Sequence, residues 1–370
     1  MASLALIRSL RLTLPRHTAA RFTIVTNNHR HSQRCSLSTR ATFHYLEDRP
    51  EYQTVKPYHI NIPERAFDPG LQSNEVSIAY HDIPVTGLRN RIGDFTLDRN
   101  GFKVVIEDED RGGEMLCRAL PYEEYADEAS VRDRARKAVE EFLKRNIDGC
   151  EDAVAFSHQV RRRDRLFPML PRGTSGAVPQ PVQGVHVVCG ALLDMTPDGS
   201  HSEVQDALAA RGYTDMSKRR WAVVHIWRPL FGPLQDWPLA LMDYTSLDKA
   251  RDLISSDNIY VHRIRENYNV LWNKRHKWYF LEDQQPNEIL VFKTFDTHAT
   301  KGHARLCAHA SFRNPLAAPT ARPRESFECL SVVIFPEGSA ASNSFEEPLP
   351  AETPPGLLGE KLAEMKGGLD

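Results

Sequence analysis

Apolar positions fall mostly in short runs or in alternation along this chain, and only a few stretches carry helical spacing. Gly101-Phe-Lys-Val-Val-Ile alternates enough for one strand. From Glu128 to Lys144 the apolar residues Val131, Ala135, Ala138, Val139, Phe142 and Leu143 recur at helical spacing, and Gly149 stops that helix soon after its end. Ala153-Val-Ala-Phe is a short apolar run that leads into Arg161, Arg162 and Arg163, a basic cluster that reads as a solvated strand end. Residues 171–183 are rich in Pro and Gly and read as a loop. An apolar run over 184–193 contains His186, and 201–211 suits a helix. Trp221-Ala-Val-Val-His-Ile-Trp is strand-like and stops at Pro229. Pro238-Leu-Ala-Leu-Met, Glu288-Ile-Leu-Val-Phe-Lys-Thr-Phe and Cys329-Leu-Ser-Val-Val-Ile-Phe are the remaining strand candidates. The rest of 41–120 reads as an irregular arm with short strands.

Many short strands with few helices, and no strand-helix alternation, predict a mainly β fold: a jelly roll, or double-stranded β-helix, with flanking helices. A Rossmann-type sheet is argued against by the same pattern. The domain runs over 43–336, with the double-sheet core at about 151–336. Residues 337–370 are rich in Glu, Pro and Ser and read as a disordered tail. No internal repeat, GxGxxG, P-loop, HExxH or GxSxG is present; Gly173-Thr-Ser-Gly lacks the second spacing of the last. Nucleotide-cofactor dehydrogenases, NTPases, zinc proteases and serine hydrolases therefore have no supporting motif.

Composition changes the picture at one end. Residues 1–42 hold Arg8, Arg11, Arg16, Arg21, Arg30, Arg34 and Arg40 with several serines, and no acidic residue precedes Glu47. That composition reads as a mitochondrial presequence or a disordered extension, and places the protein in mitochondria in the first case and in the cytoplasm in the second. The formal net charge of -2 gives no case for nucleic acid or an anionic membrane surface. No apolar stretch approaches the roughly 20 residues of a membrane-spanning helix. Cys35, Cys117, Cys150, Cys189, Cys307 and Cys329 form no CxxC pair and read as reduced thiols of an intracellular protein. Nothing in the chain speaks to oligomeric state.

Candidate chemistry lies in the C-terminal third. His309 sits near a strand end, and Arg324-Glu-Ser326 opens the last strand. In a jelly roll the two strands can run side by side. His309 can then hold a metal, while Arg324 makes a bidentate contact with a carboxylate and Ser326, two residues on and on the same face, supports the same group. A facial triad needs one more histidine and a carboxylate, usually as His-x-Asp, since ligands at i and i+2 share a strand face. His186 is the candidate histidine. Its i+2 position holds Val188, which cannot ligate, and the nearest following carboxylate is Asp194. Along a continuous strand those eight residues span about 26 Å, so His186 and Asp194 share a metal only if 188–193 loops out.

Four segments resemble one family over about residues 43–335. They are Ala41-Thr-Phe-His-Tyr-Leu; His225-Ile-Trp-Arg-Pro-Leu with Pro238-Leu-Ala-Leu-Met-Asp243; Asn287-Glu-Ile-Leu-Val-Phe-Lys-Thr-Phe-Asp296; and His309-Ala-Ser-Phe with Pro323-Arg-Glu-Ser-Phe-Glu328. The chain resembles the asaB-type hydroxylase/desaturase family of fungi, which also takes in bacterial cephamycin-methoxylase-like proteins. The resemblance implies a double-stranded β-helix that uses Fe(II), 2-oxoglutarate and O2 to hydroxylate, desaturate or oxidatively cyclise a small secondary metabolite. Carried across, the family motif puts iron on His186, on an aspartate that here is Asp194, and on His309, and puts 2-oxoglutarate on Arg324 and Ser326.

The departure from that motif is specific. Without residues 188–193 the sequence would read Gly-Val-His-Val-Asp-Met-Thr, the family pattern. Val-Cys-Gly-Ala-Leu-Leu thus reads as an insertion between two ligands. A shifted splice boundary in the gene accounts for it, and so does a genuine insertion that leaves a catalytically silent jelly-roll protein. A cupin-like oxygenase that uses iron without 2-oxoglutarate is a further alternative, and it assigns nothing to Arg324. Among the other histidines, His298 and His303 read as loop residues and His225 as a packed core residue. Trp227, Arg228, Asp243 and Lys293 are candidates to line the pocket, with structural roles the stronger reading for all four.

Overall fold

The computed structural model describes residues 37–62, 71–108, 114–169, 179–187, 203–260, 263–298 and 300–339. Its strands, in chain order, are β1 (Ser38–Leu46), β2 (Tyr58–Ile60), β3 (Ser77–Gly87), β4 (Phe102–Ile106), β5 (Asp152–Arg162), β6 (His186–Val187) and β7 (Arg219–Pro229). There follow β8 (Leu239–Met242), β9 (Leu253–Tyr260), β10 (Arg263–Val270), β11 (Trp278–Phe280), β12 (Glu288–Asp296), β13 (His309–Ser311) and β14 (Glu325–Glu337). They form a nine-stranded sheet in the order β1-β3-β11-β8-β13-β6-β10-β9-β2 and a five-stranded sheet in the order β4-β12-β7-β14-β5. This is the double-sheet, mainly β architecture expected.

The smaller sheet is covered on its outer face by the helix predicted over 128–144. That helix starts at Asp127, whose side chain accepts from Ser130 N, passes through a wide turn at Val131–Ala135 and continues as Arg136–Asn146. Its predicted apolar face, Val131, Ala135, Val139, Phe142 and Leu143, packs on Ala222, Val224 and Ile226 of β7 and on Phe327, Cys329 and Val333 of β14. Truncating a side chain such as Phe142 to Ala would cost about 3–5 kcal/mol. Alternate residues of β7 and β12, Trp227, Leu290 and Phe292, point the other way and meet Leu241 and Tyr279 of the larger sheet. The candidate site lies between the two sheets, on these inner faces.

Two regions differ from the sequence reading. The N-terminal part is a pair of long strands, where an irregular arm was expected. β1 buries Thr39, Ala41, Phe43 and Tyr45 and exposes Ser38, Arg40 and Thr42, and it pairs antiparallel with β3. The extension read as residues 1–42 therefore stops short, since Ser38–Thr42 already belongs to the sheet. The first buried positions of β1 are Thr39 and Ala41, which a hydrophobic count passes over. β9 and β10 form a polar antiparallel pair that no apolar pattern announces. β1 also bridges to the stretch before β6: Val185 N donates to His44 O at 2.8 Å. That bond holds Gly184–Val185 in place immediately before His186.

Gly101 precedes β4 at φ 83°, and a Cβ there would lie 2.5 Å from the Leu306 carbonyl oxygen. A glycine is required at that crossing because the chain leading to His309 passes against its backbone. Cys117, Cys150, Cys307 and Cys329 are free thiols.

Candidate active site

His186 and His309 occupy facing positions in the register of β6 and β13. Their ring centroids are 4.6 Å apart. His186 Nδ1 lies 2.7 Å from Gly184 O, and His309 Nδ1 lies 3.0 Å from Cys307 O. A carbonyl oxygen only accepts, so each Nδ1 carries the proton and donates it. Each Nε2 is thereby left with its lone pair free, the tautomer a metal ligand needs. Burial lowers both pKa values, and for His309 the neighbouring His186 and His225 lower it further. Both rings are neutral at pH 7.

Arg324 is 1% exposed. It was expected beside His309 on a neighbouring strand of one sheet. In fact β13 and β14 lie in different sheets, because the proline-rich connection between them crosses from one to the other. Arg324 reaches the histidine strand across the gap: its Nη1 donates to Ser311 Oγ at 2.5 Å and to Trp237 O at 2.9 Å. Its guanidinium carbon sits 5.4 Å from the centre of the Trp227 ring. Nε has no partner among the described residues, and neither has the buried Ser326 Oγ two residues on. Burial and the charge of Arg161 push the Arg324 pKa down to about 9, offset in part by Glu328 and Asp236. The side chain is still charged at pH 7 and is short of negative charge. A buried cation with an unused N–H, beside a buried hydroxyl with no partner, fits a carboxylate ligand.

The same inner row of β14 continues to Glu328, whose Oε1 accepts from Arg161 Nε at 3.0 Å and Nη2 at 2.8 Å. Arg162 pairs with Glu325 and Arg163 with Asp236. The basic cluster is thus three ion pairs, and Arg161–Glu328 walls the site. The spacing of 161 to 328 gave no hint of this. A partial signal was present, since Glu328 follows Arg324 and Ser326 at strand alternation and so shares their face.

His225 does not pack as a satisfied core residue. It is 5% exposed, its ring lies 5.6 Å from that of His309, and burial pushes its pKa down to about 4. Trp227 borders Arg324 and is more than structural. Arg228 is structural as read: it points to the outer face, where it donates to Tyr125 Oη and to Pro229 O. Asp243 accepts from Asn100 Nδ2 and Thr245 N, tying a turn.

Lys293 holds the loop before His309. Its Nζ meets Asp296 Oδ2 at 2.6 Å, Asp98 Oδ1 at 2.9 Å, His303 Nε2 at 2.9 Å and Ala304 O at 3.0 Å. Asp98, Asp296 and His303 are the one trio of potential metal ligands, among the described residues, whose donor atoms lie within 4.8 Å of one another. Lys293 and Arg220 each pair with both carboxylates there, so the cluster is an ion-pair knot and offers no place for a metal. His186 and His309 acquire no third ligand of that quality from the described residues. Asp194 lies outside the described residues, as do 188–193.

The fold is shared with a solved structure. Over 81% of this chain and 98% of its own, the iron and alpha-ketoglutarate-dependent endoperoxidase NvfI superposes with a TM-score of 0.62 at 21% identity, a likeness of fold. The family model described as Oxidoreductase/YMDC permease-like domain matches residues 43–334. The alpha-ketoglutarate-dependent dioxygenase tstK of Talaromyces stipitatus is 25% identical over 76% of this chain and 95% of its own. The hydroxylase/desaturase asaB of Aspergillus flavus is 26% identical over 44% of this chain and 77% of its own. The chain belongs to the Oxidoreductase/YMDC permease-like family and is similar to the hydroxylase/desaturase asaB.

Proposed function

We propose that the protein is an Fe(II)- and 2-oxoglutarate-dependent oxygenase that hydroxylates, desaturates or oxidatively cyclises a small secondary metabolite. Two neutral imidazoles with free Nε2 atoms, facing a desolvated Arg324 and a Ser326 hydroxyl with no protein partner, support this reading above all. When bound, Fe(II) and 2-oxoglutarate together activate O2 for oxidation of a substrate C–H bond.

His186 and His309 would hold the metal, and Asp194 is the proposed carboxylate of the triad. Arg324 and Ser326 would hold the distal carboxylate of 2-oxoglutarate, with Trp237 O and Ser311 Oγ fixing the guanidinium in place. Phe292 covers one side of His309, at 4.7 Å between ring centres, and keeps water from it. A formal net charge of -2 supports a small molecule as partner over nucleic acid or an anionic membrane. No helix among the described residues is long and apolar enough to cross a membrane.

Arg324→Ala tests the cosubstrate assignment. Loss of a buried bidentate partner should weaken 2-oxoglutarate binding by about 2–5 kcal/mol, and Arg324→Lys should not restore it, because lysine lacks the planar fork. Unchanged 2-oxoglutarate affinity in Arg324→Ala would rule the anchor out, whereas a wild type that binds iron but no 2-oxoglutarate would favour an oxygenase that works without this cosubstrate.

A further inference from the structure

β7 presents His225 and Trp227 on one face, because residues two apart on a strand share a side. Ala222, Val224 and Ile226 take the other side, under the helix. On the inner face Trp227 borders the Arg324 guanidinium, and His225 touches Phe292 at 4.9 Å and His309 at 5.6 Å between ring centres, edge to face with the latter. Arg324, Trp227, His225 and His309 therefore form a continuous line from the carboxylate anchor to the histidine pair.

His225 Nδ1 is buried and has no hydrogen-bond partner among the described residues. Buried polar atoms are almost always paired, so a histidine that served packing alone would not leave this one open. Glu328 makes no hydrogen bond to it, and its Oε1 accepts from Arg161. A third metal ligand is not the answer either: the donor atoms of His186, His225 and His309 do not all come within 4.8 Å of one another. An acceptor entering between the sheets would satisfy it. A five-carbon dicarboxylate held at Arg324 by one end and reaching the histidine pair with the other would follow this line past His225.

We propose, resting on the oxygenase reading above, that His225 donates from Nδ1 to the carboxylate that 2-oxoglutarate turns toward His186 and His309, and so fixes how that end lies. His225 is then a positioning residue for the cosubstrate.

The full-length protein, loaded with Fe(II) under argon, tests this by two titrations. Fe(II) affinity is measured first, then 2-oxoglutarate affinity through the visible charge-transfer absorption of the iron complex. His225→Leu should keep the wild-type Fe(II) affinity, weaken 2-oxoglutarate about 10- to 100-fold and shift the absorption maximum. His225→Asn, whose amide nitrogen can stand near the position of Nδ1, should restore most of the affinity. A fall in Fe(II) affinity in His225→Leu would make His225 a ligand and overturn the proposal, and so would unchanged binding of both. If the leucine variant does not fold, the zinc-loaded wild type answers instead. Its His225 ring-nitrogen resonances, assigned with the asparagine variant, should move on addition of 2-oxoglutarate, and resonances that stay in place would overturn the proposal. Failure of the wild type itself to bind 2-oxoglutarate would overturn the oxygenase reading, and this inference with it.

Discussion

His186 and His309 stand opposite each other in the β6–β13 register, and each ring is held by its own Nδ1 through the carbonyl of the residue two before it. The arrangement is repeated on two strands far apart in sequence, and both times it frees Nε2. His186→Ala and His309→Ala should each lose more Fe(II) affinity than the roughly 10- to 100-fold that removing a supporting group around a metal costs. The fold should survive, since each change removes a ring that makes one backbone hydrogen bond. Isothermal titration with Fe(II) under argon, alongside circular dichroism, reads both. Full Fe(II) affinity in either folded variant would remove that histidine from the metal site.

Lys293 and Asp296 are almost fully buried and joined at 2.6 Å, and the same lysine holds Ala304 O in the loop that leads to His309. Lys293→Ala would leave buried carboxylate charge under-compensated, with an expected loss of about 3–5 kcal/mol of stability. Burial works to raise the Asp296 pKa, but hydrogen bonds from His303 and Arg220 and the charge of Lys293 outweigh it and hold it below the ordinary 3.8. The unfolded chain therefore binds the proton first as pH falls. The contribution of Asp296 is complete above pH 3.8 and is lost as pH drops toward its folded value. Denaturant melts of wild type and Asp296→Asn against pH should show a steeper acid loss in the wild type; parallel curves would contradict this.

How much of this was readable in the residues depends on how local each signal is. His309, Arg324 and Ser326 stood out because strand alternation places Arg and Ser on one face within three residues. The helix over 128–144 and the strands around Trp221, Glu288 and Cys329 followed from their apolar periodicity. Arg161 was passed over, since its partner Glu328 lies on another strand and a basic run looks solvated when read alone. His225 was passed over because an apolar strand looks the same whether its histidine is satisfied or left open. β9 and β10 were missed because backbone pairing holds them, with side chains such as Ser255, Ser256 and Asn269 that carry no apolar pattern. The side-by-side placement of the His309 and Arg324 strands failed because composition does not say which sheet a strand joins after a proline-rich crossing.

The stretch between His186 and Asp194 carries its own test. If Val188–Leu193 separates two ligands that the family holds at i and i+2, deleting residues 188–193 should raise Fe(II) affinity and succinate formation above those of the full chain. Iron titration and succinate assay of both forms measure this. Equal values would show that the longer segment is accommodated with the site intact, whereas Fe(II) binding by the deleted form alone would favour the silent-protein or altered-splice reading of the full chain.

Residues 1–40, rich in arginine and free of acidic residues, are proposed to direct import into mitochondria. Fused to a fluorescent protein, they should carry it there. Diffuse cytoplasmic fluorescence would assign the segment to a simple extension and the enzyme to the cytoplasm.

One site between the two sheets is proposed to take Fe(II) on His186 and His309 and 2-oxoglutarate on Arg324. It is tested most directly by adding Fe(II), then 2-oxoglutarate, to the purified full chain under argon while its visible spectrum is recorded, and then admitting O2 and measuring succinate. The account predicts equimolar Fe(II) binding, a charge-transfer absorption that appears only when both additions are present, and succinate after O2, all absent from His309→Ala and the last two absent from Arg324→Ala. A wild-type protein that binds no Fe(II), or one whose spectrum and succinate yield ignore 2-oxoglutarate, would contradict it.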